Sequence, residues 1–158
     1  MERVKLVLSA AALLLLHSSF SSVVPYQWKN QQMSFLLPDH FIEEKHDDLA
    51  FLAKGNNMSF QMEVYMEELL TESDMNDFVF RMGEERYNLA QSEGEGDLQG
   101  QGYKGHFTYG LVDGKVVFVV GLLDLDLGLG YVGHIVYNDA DKADLSIAQK
   151  IMKSFARR

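Results

Sequence analysis

Cysteine is absent from the 158 residues. That absence excludes disulfides, a thiol nucleophile and lipid attachment at an N-terminal cysteine, so the fold must rest on its core alone. Long hydrophobic runs are missing as well. The longest apolar stretch, 6–16, covers about 11 residues, where spanning a bilayer core takes about 20. Positive charge is the third scarcity: 14 Lys and Arg stand against 23 Asp and Glu, a formal net charge of -9. A surface of that sign repels phosphate backbones and anionic membrane faces, which argues against nucleic-acid and lipid-headgroup partners and for a soluble domain.

What is present begins with an export signal. Arg3 and Lys5 precede the apolar run, and a small-residue exit follows it at His17-Ser18-Ser19-Phe20-Ser21-Ser22. Ser19 and Ser21 have the spacing a signal peptidase needs, which places the cut after Ser21. The expected organisation is a signal peptide at 1–21, a leader at 22–32 and one domain at 33–158. Cleavage removes Arg3 and Lys5 against Glu2, a net +1, and leaves a mature chain of about -10 that is periplasmic or secreted. Such a chain can bury roughly two-thirds of its unfolded surface.

Along the domain, 33–37 reads as a strand stopped by Pro38, which has no N–H for a ladder. Extended stretches follow at 41–45 and 49–53, then a turn at Gly55-Asn56-Asn57. Met58, Phe60, Met62, Val64 and Met66 alternate with Ser59, Gln61 and Glu63, a strand with one face buried. The alternation accounts for those three methionines as core filler. Met75, Phe78, Val79, Met82 and Arg86 then follow helical spacing and predict a helix over 73–88. Thr71 or Ser73 would cap it, and Gly83 would mark close packing on a sheet.

The acidic, Gly-rich 92–102 reads as a mobile hairpin or loop, with some strand character at its two ends. After it, Asp113-Gly114 signals a two-residue hairpin that sets Tyr109 opposite Phe118 and Phe107 opposite Val120. The strand from Val116 to Leu123 is apolar on both faces, so something must cover each side of it. A C-terminal helix with the stripe Leu145, Ala148, Met152 and Phe155 is one cover. Asp139 or Asp141 would start that helix, and Lys153, Arg157 and Arg158 would suit its C-terminal dipole. The expected fold class is α/β (α+β): a mostly antiparallel sheet flanked by a central and a C-terminal helix, an α/β/α sandwich.

Candidate chemistry is sparse. Gly100-Gln101-Gly102-Tyr103-Lys104-Gly105 fits G-x-G-x-x-G, yet these glycines open a strand rather than a helix and sit beside acids. Asp124 and Asp126 share a strand face and could hold a cation or divide acid and base work. Whether His134 joins them depends on the loop around Gly128-Leu129-Gly130: two or four residues put Leu123 opposite His134, and three put Asp124 there. Otherwise the two carboxylates mark the solvated end of a strand. His40 and His46 with Asp47 and Asp48 match no tight zinc spacing, and His106 reads as a rim or core histidine. No G-x-S-x-G elbow exists. Trp28 and Tyr26 in the leader, with Tyr103 and Tyr131 near strand starts, are candidate exposed aromatic anchors for a partner. No catalytic, cofactor-binding or metal residue is assigned.

Three short motifs resemble those of PsbP-like domains. They are Leu37-Pro38-Asp39-His40-Phe41 after an opening strand, Gly105-His106-Phe107-Thr108-Tyr109-Gly110 before a hairpin, and the closing Ala148-Gln149-Lys150-Ile151-Met152-Lys153-Ser154-Phe155. The resemblance implies an α/β/α sandwich that hosts photosynthetic extrinsic subunits, a small-GTPase regulator and bacterial envelope proteins, most of them accessory or binding proteins. It carries over no functional residue and no cofactor. The leading expectation is therefore an exported, non-enzymatic accessory protein of the bacterial cell envelope. It would bind a protein or small-molecule partner through a sheet edge or loop face. The alternative is a metal-dependent hydrolase-like enzyme using Asp124, Asp126 and His134.

Overall fold

A computed structural model describes residues 22–138 and 142–158. The expected signal peptide at 1–21, and the capping Asp139 and Asp141, lie outside the described residues. These residues form ten strands and two α-helices in two sheets. The strands are β1 (Val23–Trp28), β2 (Met33–Pro38), β3 (Ile42–His46), β4 (Ala50–Lys54) and β5 (Met58–Tyr65). After helix α1 (Met75–Tyr87) come β6 (Gly94–Gly100), β7 (Tyr103–Val112), β8 (Lys115–Asp124) and β9 (Gly130–Asn138). Helix α2 (Lys142–Met152) and β10 (Ala156–Arg157) close the chain.

The main sheet runs β3-β4-β5-β9-β8-β7-β6 and every pairing in it is antiparallel. Beside the central strand β9, β8 is buried along nearly its whole length, as a strand without polar alternation requires. Phe118, Val120 and Leu122 point to one core, shared with Phe35, Phe60, Ile151 and Phe155. Val117, Val119 and Leu123 point to the other, shared with Phe78, Val79 and Met82 of α1. The mostly antiparallel sheet with its central and C-terminal helices is thus the observed architecture. On the second face, α2 shares the cover with a small sheet, β1-β2-β10.

That small sheet corrects the leader. Residues 23–28 are a strand paired along its length with β2, from Val23 opposite Pro38 to Trp28 opposite Met33. Pairing turns Trp28 into the core, where it is 0% exposed and donates its indole N–H to the Asp47 carbonyl at 2.6 Å. The C-terminus is corrected too. The helix ends at Met152, and Arg157 lies in β10 against Met33 instead of facing a helix dipole.

The hairpin register matches the sequence reading: Tyr109 faces Phe118 and Phe107 faces Val120. Asp113 and Gly114 both take positive φ, as a tight two-residue turn between twisted strands requires. The central helix begins two residues later than predicted because Glu72–Asp74 forms a 3-10 turn before it. There Thr71 and Asp74 satisfy each other as a capping box. Met58 and Met62 fill the core as expected, but β5 ends at Tyr65 and leaves Met66 exposed beyond the pairing. Of the two readings of 92–102, hairpin or loop, the hairpin is the one observed, and its first arm, 94–100, is an ordered edge strand on β7 along its whole length. Cross-strand packing of the Tyr109 ring on Gly94 and the Phe107 ring on Gly96 outweighs the low strand propensity of glycine there.

Candidate functional site

The residues singled out as a possible Asp/Asp/His cluster do not converge. The β8–β9 pairing closes with Leu123 opposite Gly130, so His134 lies opposite Val119 and neither expected register occurs. The connection is longer than those expectations assumed because Asp124 itself organises it. The Oδ1 atom of Asp124 accepts the backbone N–H groups of Asp126 and Leu127, each at 2.9 Å, while the Gly128 N–H returns to the Asp124 carbonyl. Gly128 takes a φ of +67°, a left-handed conformation that suits glycine.

Face assignment follows from the register. Asp124 pairs with Tyr103, whose ring is in the α2-side core, whereas His134 shares the α1 side with Val119. The sheet separates the two side chains. Asp126 is exposed and tied to Arg157 at 2.8 Å. His134 Nδ1 is hydrogen-bonded to the Tyr87 hydroxyl at the end of α1, and burial pushes its pKa down to about 4, with Arg86 adding to the shift and Glu63 opposing it. Near pH 7 it is a neutral imidazole in a packed wall. Among the described residues no group of three His, Asp or Glu side chains could hold a metal ion. His46 instead pairs with Glu43, and Asp47 caps the N–H groups of Leu49 and Ala50 in the β3–β4 turn.

The aromatic anchors are also corrected. Trp28, Tyr103 and Tyr131 are fully buried, and Tyr26 is half-buried with its hydroxyl on the Phe41 carbonyl. Tyr131 packs edge-on between Trp28 and Tyr103 and donates to Gln31 at 3.0 Å; burial raises its pKa to about 12. These rings face inward because β1 and the turn after it close over this end of the sheet.

What the same end presents outward is aliphatic. Two connections emerge there, 66–71 after β5 and 124–129 after β8. They are neighbours: Tyr65 pairs with Gly130, and Leu70 packs so near Gly130 that a Cβ there would come within 2.7 Å of its Cδ1. Leu70 is the buried foot of its loop, leaving Leu69 91% exposed and Met66 exposed beside it. In the second loop the Asp124 turn directs Leu125 and Leu127 to solvent. Acids lie beside these four side chains: Glu68 and Asp74 line the same cleft as Leu69, and Glu67 and Asp126 are chain neighbours of Met66, Leu125 and Leu127. Glu68 is paired to Arg81 and Asp126 to Arg157. A cleft of about 510 Å³ opens between the first loop and α1, floored by Leu70 and Phe78 and edged by Glu68, Asp77 and Arg81.

Arg157 locks the second loop from behind. Its guanidinium donates to Asp124 at 2.9 Å and to Asp126 at 2.8 Å, and the Leu125 N–H reaches the Gly102 carbonyl. Asp124 is 0% exposed, so this is a desolvated ion pair whose anion also caps a loop. Asp124 is a structural anchor and the leucines it displays are the accessible feature. No single segment of sequence announced this surface. Met66, Leu125 and Leu127 continue strand alternations past the point where pairing stops, so their pattern reads as buried strand. Leu69 fits neither period, and it was the one local signal available.

No family model matches the chain, and no curated protein matches it. Among solved structures it is similar to the Saccharomyces cerevisiae Ran-binding protein Mog1p, at 12% identity and a TM-score of 0.59, covering 87% of this chain and 96% of that one. It is similar also to a point mutant of the protein Mog1, at 11% identity and a TM-score of 0.57, covering 86% and 96%. These likenesses establish the fold. They also correct the assignment to the PsbP-like family, which no family model supports. The three motifs behind it mark a strand end at Pro38, a cross-strand aromatic register and an amphipathic helix. Such patterns recur wherever these elements occur, so they report architecture.

Proposed function

We propose that the chain is an exported, non-enzymatic accessory protein that binds a protein partner through the end of its main sheet. The observation that carries this reading is the exposure of Met66, Leu69, Leu125 and Leu127 on two adjoining loops, both anchored from inside, by Leu70 and by Asp124. Large apolar side chains held outward by an ordered scaffold serve recognition better than solubility, and binding energy concentrates in such centres with polar rims. The acidic rim favours a partner whose apolar contact is flanked by basic residues. The similarly folded Saccharomyces cerevisiae Mog1p is a Ran-binding protein, an example of this architecture used for recognition. Export rests on the N-terminal signal pattern.

The test compares native-extract capture by the wild-type chain with capture by a Leu69→Asp, Leu127→Asp variant. Both substitutions are on exposed side chains, and circular dichroism checks that the fold is kept. The expected result is one partner bound in stoichiometric amount by the wild type and lost by the variant. Retention of the same partner by the folded variant overturns the assignment of the surface.

A further inference from the structure

The main sheet has two edges, and they differ. The β3 edge is bulged between Glu43 and Lys45 and carries Glu43, Glu44 and Lys45 along a short strand. Bulges and lysines are the usual devices that keep an edge from pairing. The β6 edge has neither. It runs in unbroken register with β7 from Gly94 to Gly100; among the described residues no strand pairs along it, and β10 meets only its far end, where Ala156 bridges Gln101 and the Phe155 carbonyl packs on Gly100. An edge of this kind leaves every other backbone N–H and C=O along one side open to a further strand.

Both faces beside that edge are hollow. On the α1 side a cleft of about 320 Å³ reaches from Asp97 and Gln99 to Met75, Asn76 and His106. On the α2 side a cleft of about 330 Å³ reaches from Leu98 to Phe107, Gln149 and Met152, with Lys153 at its border. The two faces also differ in charge. Asp97 and Glu95 point to the His106 side, held in a row by the imidazole between them, with Nδ1 2.8 Å from Asp97 and Nε2 3.3 Å from Glu95. The Asp97 side chain remains 96% exposed. Lys104, which lines the same cleft, is already paired with Glu72 at 2.6 Å.

We infer that β6 is a strand-addition site for an extended, basic segment of a partner protein. The added strand would run along Gly94–Gly100, with alternate side chains entering the two clefts. Backbone hydrogen bonds supply the affinity of this mode, and the alternation supplies its specificity. Lysine or arginine fits the face lined by Glu95 and Asp97. Aliphatic side chains fit the face lined by Leu98, Phe107 and Met152, where Lys153 disfavours a second cation. The partner's signature is therefore an alternating basic and aliphatic sequence. The site is distinct from the leucine-bearing loops and does not depend on them.

The probe is a synthetic peptide of alternating lysine and valine as long as β6, titrated into the full chain, against a control in which the same residues are arranged as a lysine block followed by a valine block. Binding is read by calorimetry and its position by amide hydrogen exchange. The expected result is preference for the alternating peptide and new amide protection within 94–100. A Glu95→Gln, Asp97→Asn variant, which keeps side-chain hydrogen bonds to His106, is expected to bind about tenfold more weakly, the scale of two partly exposed charge pairs. The Leu69→Asp, Leu127→Asp variant is expected to bind the peptide like the wild type, which separates this site from the sheet-end surface. Equal binding of both peptides, protection appearing elsewhere than β6, no binding, or loss of binding in the leucine variant overturns the inference.

Discussion

Asp124 is a buried carboxylate whose one oxygen serves two backbone N–H groups and a guanidinium. Removing it leaves Arg157 without its buried partner and two loop donors without an acceptor. Asp124→Ala is expected to lower stability by about 3 kcal/mol, the scale for breaking a buried pair. Asp124→Asn keeps an acceptor for the loop and is expected to cost less; urea denaturation of the two variants checks the order. His134 governs pH behaviour in a separate place. Its folded pKa of about 4 lies below the ordinary 6.5, so the unfolded chain takes up the proton first. Its contribution is complete above about pH 6.5 and is lost as the pH falls toward 4, by about 3 kcal/mol in all. Thermal unfolding between pH 7 and 4 should show this decline, and His134→Gln should flatten it. Neither residue's role could be read locally. A buried anchor and a catalytic acid are the same letter in sequence, and only burial and partners separate them.

At the scale of elements, the seat of α1 on β8 depends on Gly121. A Cβ there would come within 2.9 Å of both Phe78 Cδ1 and Val79 Cγ1. Gly121→Val is expected to lift the helix and cost about 2 kcal/mol through overpacking. Gly83→Ala is a contrast. Its new methyl would meet the movable end of Leu89 at 3.2 Å, and the helix gains propensity of up to about 1 kcal/mol. Chemical denaturation should place the two variants on opposite sides of the wild type. The element itself was legible, because Met75, Phe78, Val79 and Met82 face one way on any helix and are buried together with Gly83. So was the Asp113-Gly114 hairpin, whose turn chemistry is contained in two residues. β6 was legible only as an open choice between hairpin and loop, since glycine and acid weaken the strand signal until the rings of Tyr109 and Phe107 are seen lying across Gly94 and Gly96. β1 escaped for the same reason, needing β2 beside it.

For the whole molecule, the excess of acid acts through its distribution. Ion pairs such as Lys104–Glu72 and Lys54–Glu44 hold bases against acids on the surface, while Glu67, Asp126, Glu95 and Asp97 edge the two proposed docking surfaces. Partner capture through either surface should weaken as salt rises, because the screening length falls from about 10 Å at 0.1 M to about 3 Å at 1 M. Apolar contact at Leu69 and Leu127 should leave a residual affinity at high salt, which a salt series of binding isotherms would separate from the charged part.

The sequence by itself determined the periods, the turns, the acid excess and hence the fold class, because each is carried by residues within one or two turns of each other. The tertiary structure alone decided which side chains meet. Whether Asp124 and His134 share a face depends on the length of the connection between β8 and β9, and one residue more or less sends a strand's side chains to the other side. The structure placed them on opposite faces, gave Asp124 to Arg157 from the far end of the chain, and turned the leucines between them toward solvent.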